Sequence, residues 1–384
     1  MYFKVQLMKF VFGKIADYIR ECEKVTLILC ALASAYGCVA VLSATNYTGS
    51  IRHFITQAVA TVLGLAAAIV ISLYDYNKLI KRWYVPAIVG LIPVILTFFI
   101  GEGPEGTDDK AWLILPGGLS FQPSELLKIS FIITFAAHIS RVQTTIKKPK
   151  TYLLLCLHGA IPVVLIHFQG DDGTALVFAV IFLSMLFASG VRLKHLGISA
   201  AVATVAAPFA FFFVFTDQQR QRLLLMFDLE SDLLGGGWQQ WRGRIALANG
   251  GLFGQGLFKG TLTQTANVPK GYNDFIFVSI GEELGALGLL AVMILLTAIA
   301  LRALKVSQMS NQNAGKYVAV GFFGMIAAQL IINIGMCLSI IPVIGVTLPF
   351  FSSGGTSVVC LYLGVGLLLS VYANRNSRTL YLHD

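Results

Sequence analysis

Apolar residues run through this chain in long blocks, with polar residues confined to short stretches between them. A helix needs about 20 apolar residues to cross a membrane. Blocks of that kind lie near residues 25–45, 54–73, 84–100, 124–140, 152–168, 174–190, 196–216, 275–301, 317–341 and 355–373. The pattern predicts an all-α polytopic membrane protein of about ten transmembrane helices. The longest interruption, roughly 217–273, falls between the seventh and eighth blocks and predicts a large loop. Residues 1–384 read as a single membrane domain opened by an amphipathic leader over 1–24, with Phe3, Leu7, Phe10 and Val11 on one side. That leader lies along the membrane surface or forms a solvated tail. It is too mixed in charge, and the block after it too long, for a cleavable signal.

Composition agrees with the pattern. The chain is 56% hydrophobic and 12% charged, with a mean hydropathy of +0.76, whereas soluble domains carry about a quarter charged residues. A net charge of +9 invites a nucleic-acid reading. The cations sit in short loops rather than on one face of a soluble element, so no nucleic-acid partner is expected. With the N-terminus in the cytoplasm, the inner segments collect Lys78, Lys81, Arg82, Arg141, Lys147, Lys148, Lys150, Arg192, Lys194, Arg302, Lys305, Lys316, Arg375 and Arg378, and the short outer loops only Arg52 and Lys110. The positive-inside rule then predicts a multi-pass protein of the cytoplasmic (inner) membrane, both termini cytoplasmic and the 217–273 loop extracytoplasmic. Glu102, Glu105, Asp108, Asp109, Asp171 and Asp172 take the outer side. No internal repeat of the kind transporters carry is visible. Cys30, Cys38, Cys156, Cys337 and Cys360 lie in apolar blocks, and no CxxC or histidine ligand spacing occurs. Neither a disulfide framework nor a zinc site is expected.

Candidate chemistry gathers where polar residues interrupt the outer ends of the blocks. Asp274 stands directly before Phe275, at the mouth of the eighth block. An aspartate there can cap a helix. Partly desolvated at the membrane edge, it can also have its pKa raised toward the range of a general base, and the two roles are compatible. Glu282 and Glu283 lie two turns deeper; at about 100° per residue Glu282 is nearer the Asp274 face. Carboxylates at such depth pair for structure or face a polar cavity. Glu125 and Lys128, spaced i,i+3, can form a structural ion pair or mark a cavity in which Lys128 handles a phosphate. Asn249-Gly-Gly-Leu-Phe-Gly-Gln-Gly256 either brings backbone close to a ligand or is a turn without one. The segment from Pro342 to Ser357 reads as re-entrant, lining a cavity, or as a plain interfacial turn.

Five of these stretches together resemble the SEDS family (shape, elongation, division and sporulation proteins), most closely its RodA type. They are Leu115-Pro-Gly-Gly-Leu-Ser-Phe-Gln-Pro-Ser-Glu-Leu-Leu-Lys128, Gln169 to Ala175, Asn249 to Gly256, Asn273-Asp-Phe-Ile-Phe with Gly281-Glu-Glu-Leu-Gly285, and Asn333-Ile-Gly-Met336 with Pro349 to Ser357. The resemblance implies a peptidoglycan glycosyltransferase that polymerises lipid II for cell elongation and shape. Asp274 would be the catalytic residue, taking the proton from the acceptor 4-hydroxyl as it attacks the donor's anomeric carbon. Lys128, positioned by Glu125, would meet the departing undecaprenyl diphosphate, and Lys110, Trp112, Asp171, Gln239, Glu282, Ser352 and Ser353 would complete the substrate contacts. One activating carboxylate makes a direct inverting displacement the economical course. A class B penicillin-binding protein is the implied partner beside membrane lipid, and a divalent cation, Mg or Mn, at the diphosphate is a further expectation. The chain departs from the family in Lys110-Ala-Trp112 for an Arg-Trp pair, in Asp172 for a leucine, and in Pro269-Lys-Gly-Tyr for PE-x-H. A lipid II flippase, a non-catalytic scaffold, and a division or sporulation polymerase are the rival readings.

Overall fold

The computed structural model describes residues 23–103, 110–115, 119–233 and 235–376. The 1–22 part of the leader, Glu105, Asp108, Asp109 and Arg378 lie outside the described residues. Each apolar block coincides with a helix: α1 (Lys24–Ala44), α2 (Arg52–Ser72), α4 (Tyr84–Ile100), α5 (Pro123–Arg141), α6 (Pro149–His167), α7 (Asp172–Ala188), α8 (Leu193–Phe213), α11 (Ile276–Met309), α12 (Asn313–Cys337) and α13 (Gly355–Ala373). Short helices α3 (Tyr76–Lys81), α9 (Asp217–Leu224) and α10 (Trp238–Gly250) fill connections. A small hairpin, β1 (Leu113–Leu115) with β2 (Leu119–Phe121), is antiparallel with Leu113 opposite Phe121. Seven of the described helices are long and apolar enough to cross a membrane. α4 and α7 are apolar but shorter, and α5 carries Glu125 and Lys128 inside its first two turns.

α12 is the centre of the bundle, packed against α11, α7 and α5, while α13 lies along α2. None of the described side chains of α8 is fully buried, and the helix touches α6 near its start, where Ser199 Oγ and the His195 ring meet Tyr152. Apolar side chains facing outward throughout, such as Val62, Phe99, Leu153 and Phe213, are what a lipid solvent requires.

α11 has 34 residues, about 51 Å of helix at 1.5 Å per residue, well beyond the ~30 Å hydrocarbon core. It is broken at Gly285 (φ 65°, ψ −167°), a conformation open to glycine almost alone. A break strands backbone groups that lipid cannot satisfy. The glycine-rich turn after α10 answers it from both sides. Gln255 and Gly256 N–H donate to the carbonyls of Glu282 and Glu283 (3.0 and 2.9 Å), and Ala286 and Leu287 N–H donate to those of Gly251 and Leu252 (2.9 and 3.3 Å). A Cβ on Gly285 would come within 2.5 Å of the Leu252 carbonyl oxygen, so the contact is backbone on backbone. The N–H groups of Gly254, Gln255 and Gly256 are thereby committed to the carbonyls of Gly250, Glu282 and Glu283.

The segment from Ser339 to Gly354 has no regular structure and is wedged among the helices, its polar groups met by side chains. Gln240 Nε2 donates to the Ile341 carbonyl (2.9 Å), Asn333 Nδ2 to that of Val346 (2.7 Å) and Gln57 Nε2 to that of Phe350 (3.3 Å). Irregular backbone at this depth survives only with such partners.

Candidate active site

A cavity of 630 Å³ opens at the end of the bundle where α5, α7, α11 and α13 begin. The helix ends rich in lysine and arginine, such as Arg141 of α5 and Arg302 of α11, lie at the opposite end. Its walls come from Trp112, from Asp171 and Asp172 at the start of α7, from Arg222 on α9 and from Trp238 and Gln239 on α10. Lys270, Asn273 and Asp274 before α11, and Gly345, Thr347, Ser353 and Ser357 around the wedged segment, complete them.

Asp274 caps nothing: α11 starts at Ile276 after Phe275, and no side chain makes a cap bond there. Its carboxylate is therefore left to the cavity, although the residue is only 8% exposed. Burial raises its pKa above the ordinary aspartate value, and the Lys270 ammonium, 4.0 Å from Oδ2, opposes that rise. The backbone under it is held from two directions. Asn333 Nδ2 donates to the Asp274 carbonyl (2.8 Å) as well as to Val346, tying α12, the loop before α11 and the wedged segment together. The Lys270 carbonyl accepts from Asn273 N–H (2.9 Å) and Phe275 N–H (3.2 Å), one on either side of Asp274. Gly345 faces the carboxylate; a Cβ there would sit 3.7 Å from Oδ2.

Across the cavity Asp171 caps α7, accepting from Thr174 N–H (2.9 Å) and from Gln122 Nε2 (2.8 Å). Burial pushes its pKa up to about 6, against the hydrogen bonds from Thr174 and the pull of Lys128. Asp172 accepts from His167 Nδ1 (2.6 Å) and Gln219 Nε2 (2.5 Å), which pins α9 to the start of α7.

The structure gathers Asp274, Asp171, Trp112, Gln239 and Ser353 on one cavity. Other expected contacts stand elsewhere. Lys128 is 1% exposed and off the cavity wall, its Nζ donating to Glu125 Oε1 at 2.7 Å. Glu125 lines only a 20 Å³ void beneath. Lys110 Nζ reaches the Phe98 carbonyl (3.5 Å) instead of the cavity. Ser352 Oγ accepts from Leu348 N–H (2.7 Å) and donates to the Asn273 carbonyl (2.9 Å), so it supports the wall from behind. Glu282 is fully buried, its carboxylate accepting from Leu262 N–H (2.8 Å), Thr263 N–H (2.7 Å) and Thr263 Oγ (2.7 Å). It anchors a loop and does not line the cavity. The cations that do face the cavity are Arg222 and Lys270. Sequence reasoning missed both: they were two of several basic residues in a long loop, and only Lys270's place four residues before Asp274 signalled more.

A desolvated carboxylate beside one cation, on a cavity that holds a second, can take a proton from a hydroxyl while negative charge grows on a leaving group. The cavity's carboxylates do not fit a divalent ion: Asp171 and Asp172 already accept from Gln122, Thr174, His167 and Gln219, and Asp274 stands beside Lys270. Among the described residues, no three His, Cys, Asp or Glu side chains group as metal ligands.

Comparison with known proteins matches residues 23–377 to the cell cycle protein family of FtsW, RodA and SpoVE. The chain is 33% identical over 292 residues to the peptidoglycan glycosyltransferase MrdB of Escherichia coli K12, covering 76% of this chain and 77% of that one. It is 30% identical over 368 residues to the probable peptidoglycan glycosyltransferase FtsW of Geobacter metallireducens, covering 92% and 96%. A chain from a peptidoglycan synthase complex, solved for the structural coordination of polymerization and crosslinking, superposes with a TM-score of 0.79 at 26% identity over 93% of this chain and 99% of that one. The rod shape determining protein RodA of Thermus thermophilus shares the fold, with a TM-score of 0.67 at 24% identity over 92% and 98%.

Proposed function

The chain belongs to the cell cycle protein family of FtsW, RodA and SpoVE, and from that premise we propose that it polymerises lipid II into glycan strands at the outer face of the cytoplasmic membrane, in the service of cell elongation and shape. Enzyme class follows its relatives: a peptidoglycan glycosyltransferase. Asp274 accepts the proton of the acceptor's 4-hydroxyl while that oxygen bonds to the donor's anomeric carbon. The carbon–oxygen bond to undecaprenyl diphosphate breaks, and its electron pair leaves with the diphosphate. Because the diphosphate carries its charge well, no strong general acid is needed. The observation that carries this reading is a buried, uncapped Asp274 carboxylate, raised in pKa, on a cavity wall that also holds Arg222 and Lys270.

Under the positive-inside rule the cation-rich end of the bundle supports a cytoplasmic side there, and with it an outer cavity and cytoplasmic termini. A cavity confined to one end supports a polymerase over a flippase, which needs a polar path across the whole bilayer. The likeness to a chain of a complex that couples polymerization to crosslinking supports a class B penicillin-binding protein as partner. Purified protein, alone and with a co-purified transpeptidase, given labelled lipid II, tests the reading. Wild type makes long strands; Asp274→Asn and Asp274→Ala make none. Equal product from all three removes Asp274 from its role. Depletion in cells that yields spheres supports elongation, and filaments would support division.

A further inference from the structure

Lys270 occupies the left-handed region (φ 51°), which a residue with a Cβ enters only at a cost in energy. What that conformation achieves is local to Asp274. It lets one carbonyl accept from Asn273 and Phe275 N–H, and it brings the ammonium to 4.0 Å from Asp274 Oδ2. The side chain is 55% exposed and lines the cavity. A four-carbon stem with three donors, open on one side to the cavity, is free to swing between partners. The other ionisable groups around Asp274 are Cys337 of α12 behind its carbonyl, and Asp171, Asp172 and Arg222 on the walls of the cavity.

We propose that Lys270 is a counter-cation that changes partner during turnover: it pairs with the Asp274 carboxylate before the reaction and with the diphosphate as the reaction proceeds. The proposal rests on the polymerase reading above. As the acceptor's proton moves to Asp274, that residue goes from −1 to neutral. In the same step the electron pair of the broken carbon–oxygen bond adds one negative charge to the diphosphate. The charge that held Lys270 vanishes as a new one forms within the same cavity, so a single ammonium serves the base and then the leaving group. When Asp274 returns its proton to water, it reclaims Lys270 and weakens the hold on the diphosphate, which favours release. This role falls to a residue on the cavity wall, where Lys128, locked to Glu125, does not reach.

The test combines turnover with binding. Lys270→Gln lowers the polymerisation rate about 100–1,000-fold, as loss of one charge-stabilising donor does elsewhere, and shifts the acid limb of the pH profile to higher pH. Lys270→Arg keeps both close to wild type. Lys270→Gly, at ease with the backbone, behaves like Lys270→Gln and guards against a folding artefact. In binding, Asp274→Asn frees Lys270 for the diphosphate. The resulting gain in affinity for undecaprenyl diphosphate should be about fivefold larger in the chain that keeps Lys270 than in the Lys270→Gln background, read from the double variant Asp274→Asn/Lys270→Gln. Additive binding effects, or a Lys270→Gln enzyme with wild-type rate and pH limb, overturn the proposal. Wild type that forms no glycan overturns the polymerase reading instead, and the binding cycle still decides the role of Lys270.

Discussion

Gly285→Ala puts the joint between α11 and the glycine-rich turn to a quantitative test. At φ 65°, ψ −167° an alanine costs about 1–3 kcal/mol in backbone strain. Its Cβ would press on the Leu252 carbonyl and the Gly254 nitrogen, both backbone atoms that cannot rotate away. Forcing the two backbones apart weakens the bonds from Ala286 and Leu287 N–H to Gly251 and Leu252, at ~1 kcal/mol each. With overpacking included, the loss is on the order of 5 kcal/mol. Gly49→Ala is the matched control. Gly49 also has a positive φ (65°), but nothing lies within 4 Å of its would-be Cβ, so only about 1–2 kcal/mol of strain applies. Unfolding in mixed dodecylmaltoside and SDS micelles, followed by tryptophan fluorescence, should separate the two variants by several kcal/mol. Equal destabilisation would mean that the turn does not support the break, and the account of the glycine-rich motif given above would be wrong.

Asn333→Leu leaves the carbonyls of Asp274 and Val346 without their amide donor; stability should fall by about 2–4 kcal/mol, with kcat lowered more than KM changes. Glu282→Gln sets an amide against three donors from Leu262 and Thr263; we expect a loss of about 2–4 kcal/mol and faster trypsin cleavage after Lys259. Asp171, with its pKa raised to about 6 in the fold, binds a proton there that the unfolded chain has already released, so stability falls as pH rises from about 4 to about 6 and is flat above. The span is up to about 3 kcal/mol, reduced by water in the cavity. Asp171→Asn should flatten that slope in unfolding midpoints measured between pH 4.5 and 7.5, and an unchanged slope would assign it to another group.

Much of the fold was legible because lipid imposes one pattern on every spanning helix, and each apolar block coincides with a helix, seven of those described being long and apolar enough to cross. The break at Gly285 was not. Period and hydropathy run through it undisturbed, and only the partner turn, some 30 residues earlier in sequence, explains it. Likewise the wedged segment was readable from Pro349, Gly354 and Gly355, but not the side chains that satisfy it, since Gln57, Gln240 and Asn333 come from three other helices. Asp274 was legible through its neighbours in the motif. Arg222 and Lys270 were hidden in a loop whose folding back over the cavity no local signal announces.

The carboxylates show how function separates from structure in such a bundle. Glu282 accepts three hydrogen bonds, Glu283 accepts from Ser43 Oγ (2.5 Å) and Gln264 Nε2 (2.7 Å), and Glu125 is tied to Lys128. With both oxygens engaged, Glu282 and Glu283 can fasten a loop or a helix but have little capacity for a substrate proton, and Glu125 is held by the Lys128 ammonium at 2.7 Å. Asp274 differs in having no hydrogen-bond donor on its oxygens among the described residues, only an ammonium at 4.0 Å. Burial without donors raises its proton affinity, and the cavity gives a hydroxyl access to it. Depth in the membrane alone would have ranked Glu282 and Glu283 above Asp274. Counting what each oxygen already accepts reverses the order of these four, and it is this that recommends Asp274 as the base of the proposed reaction.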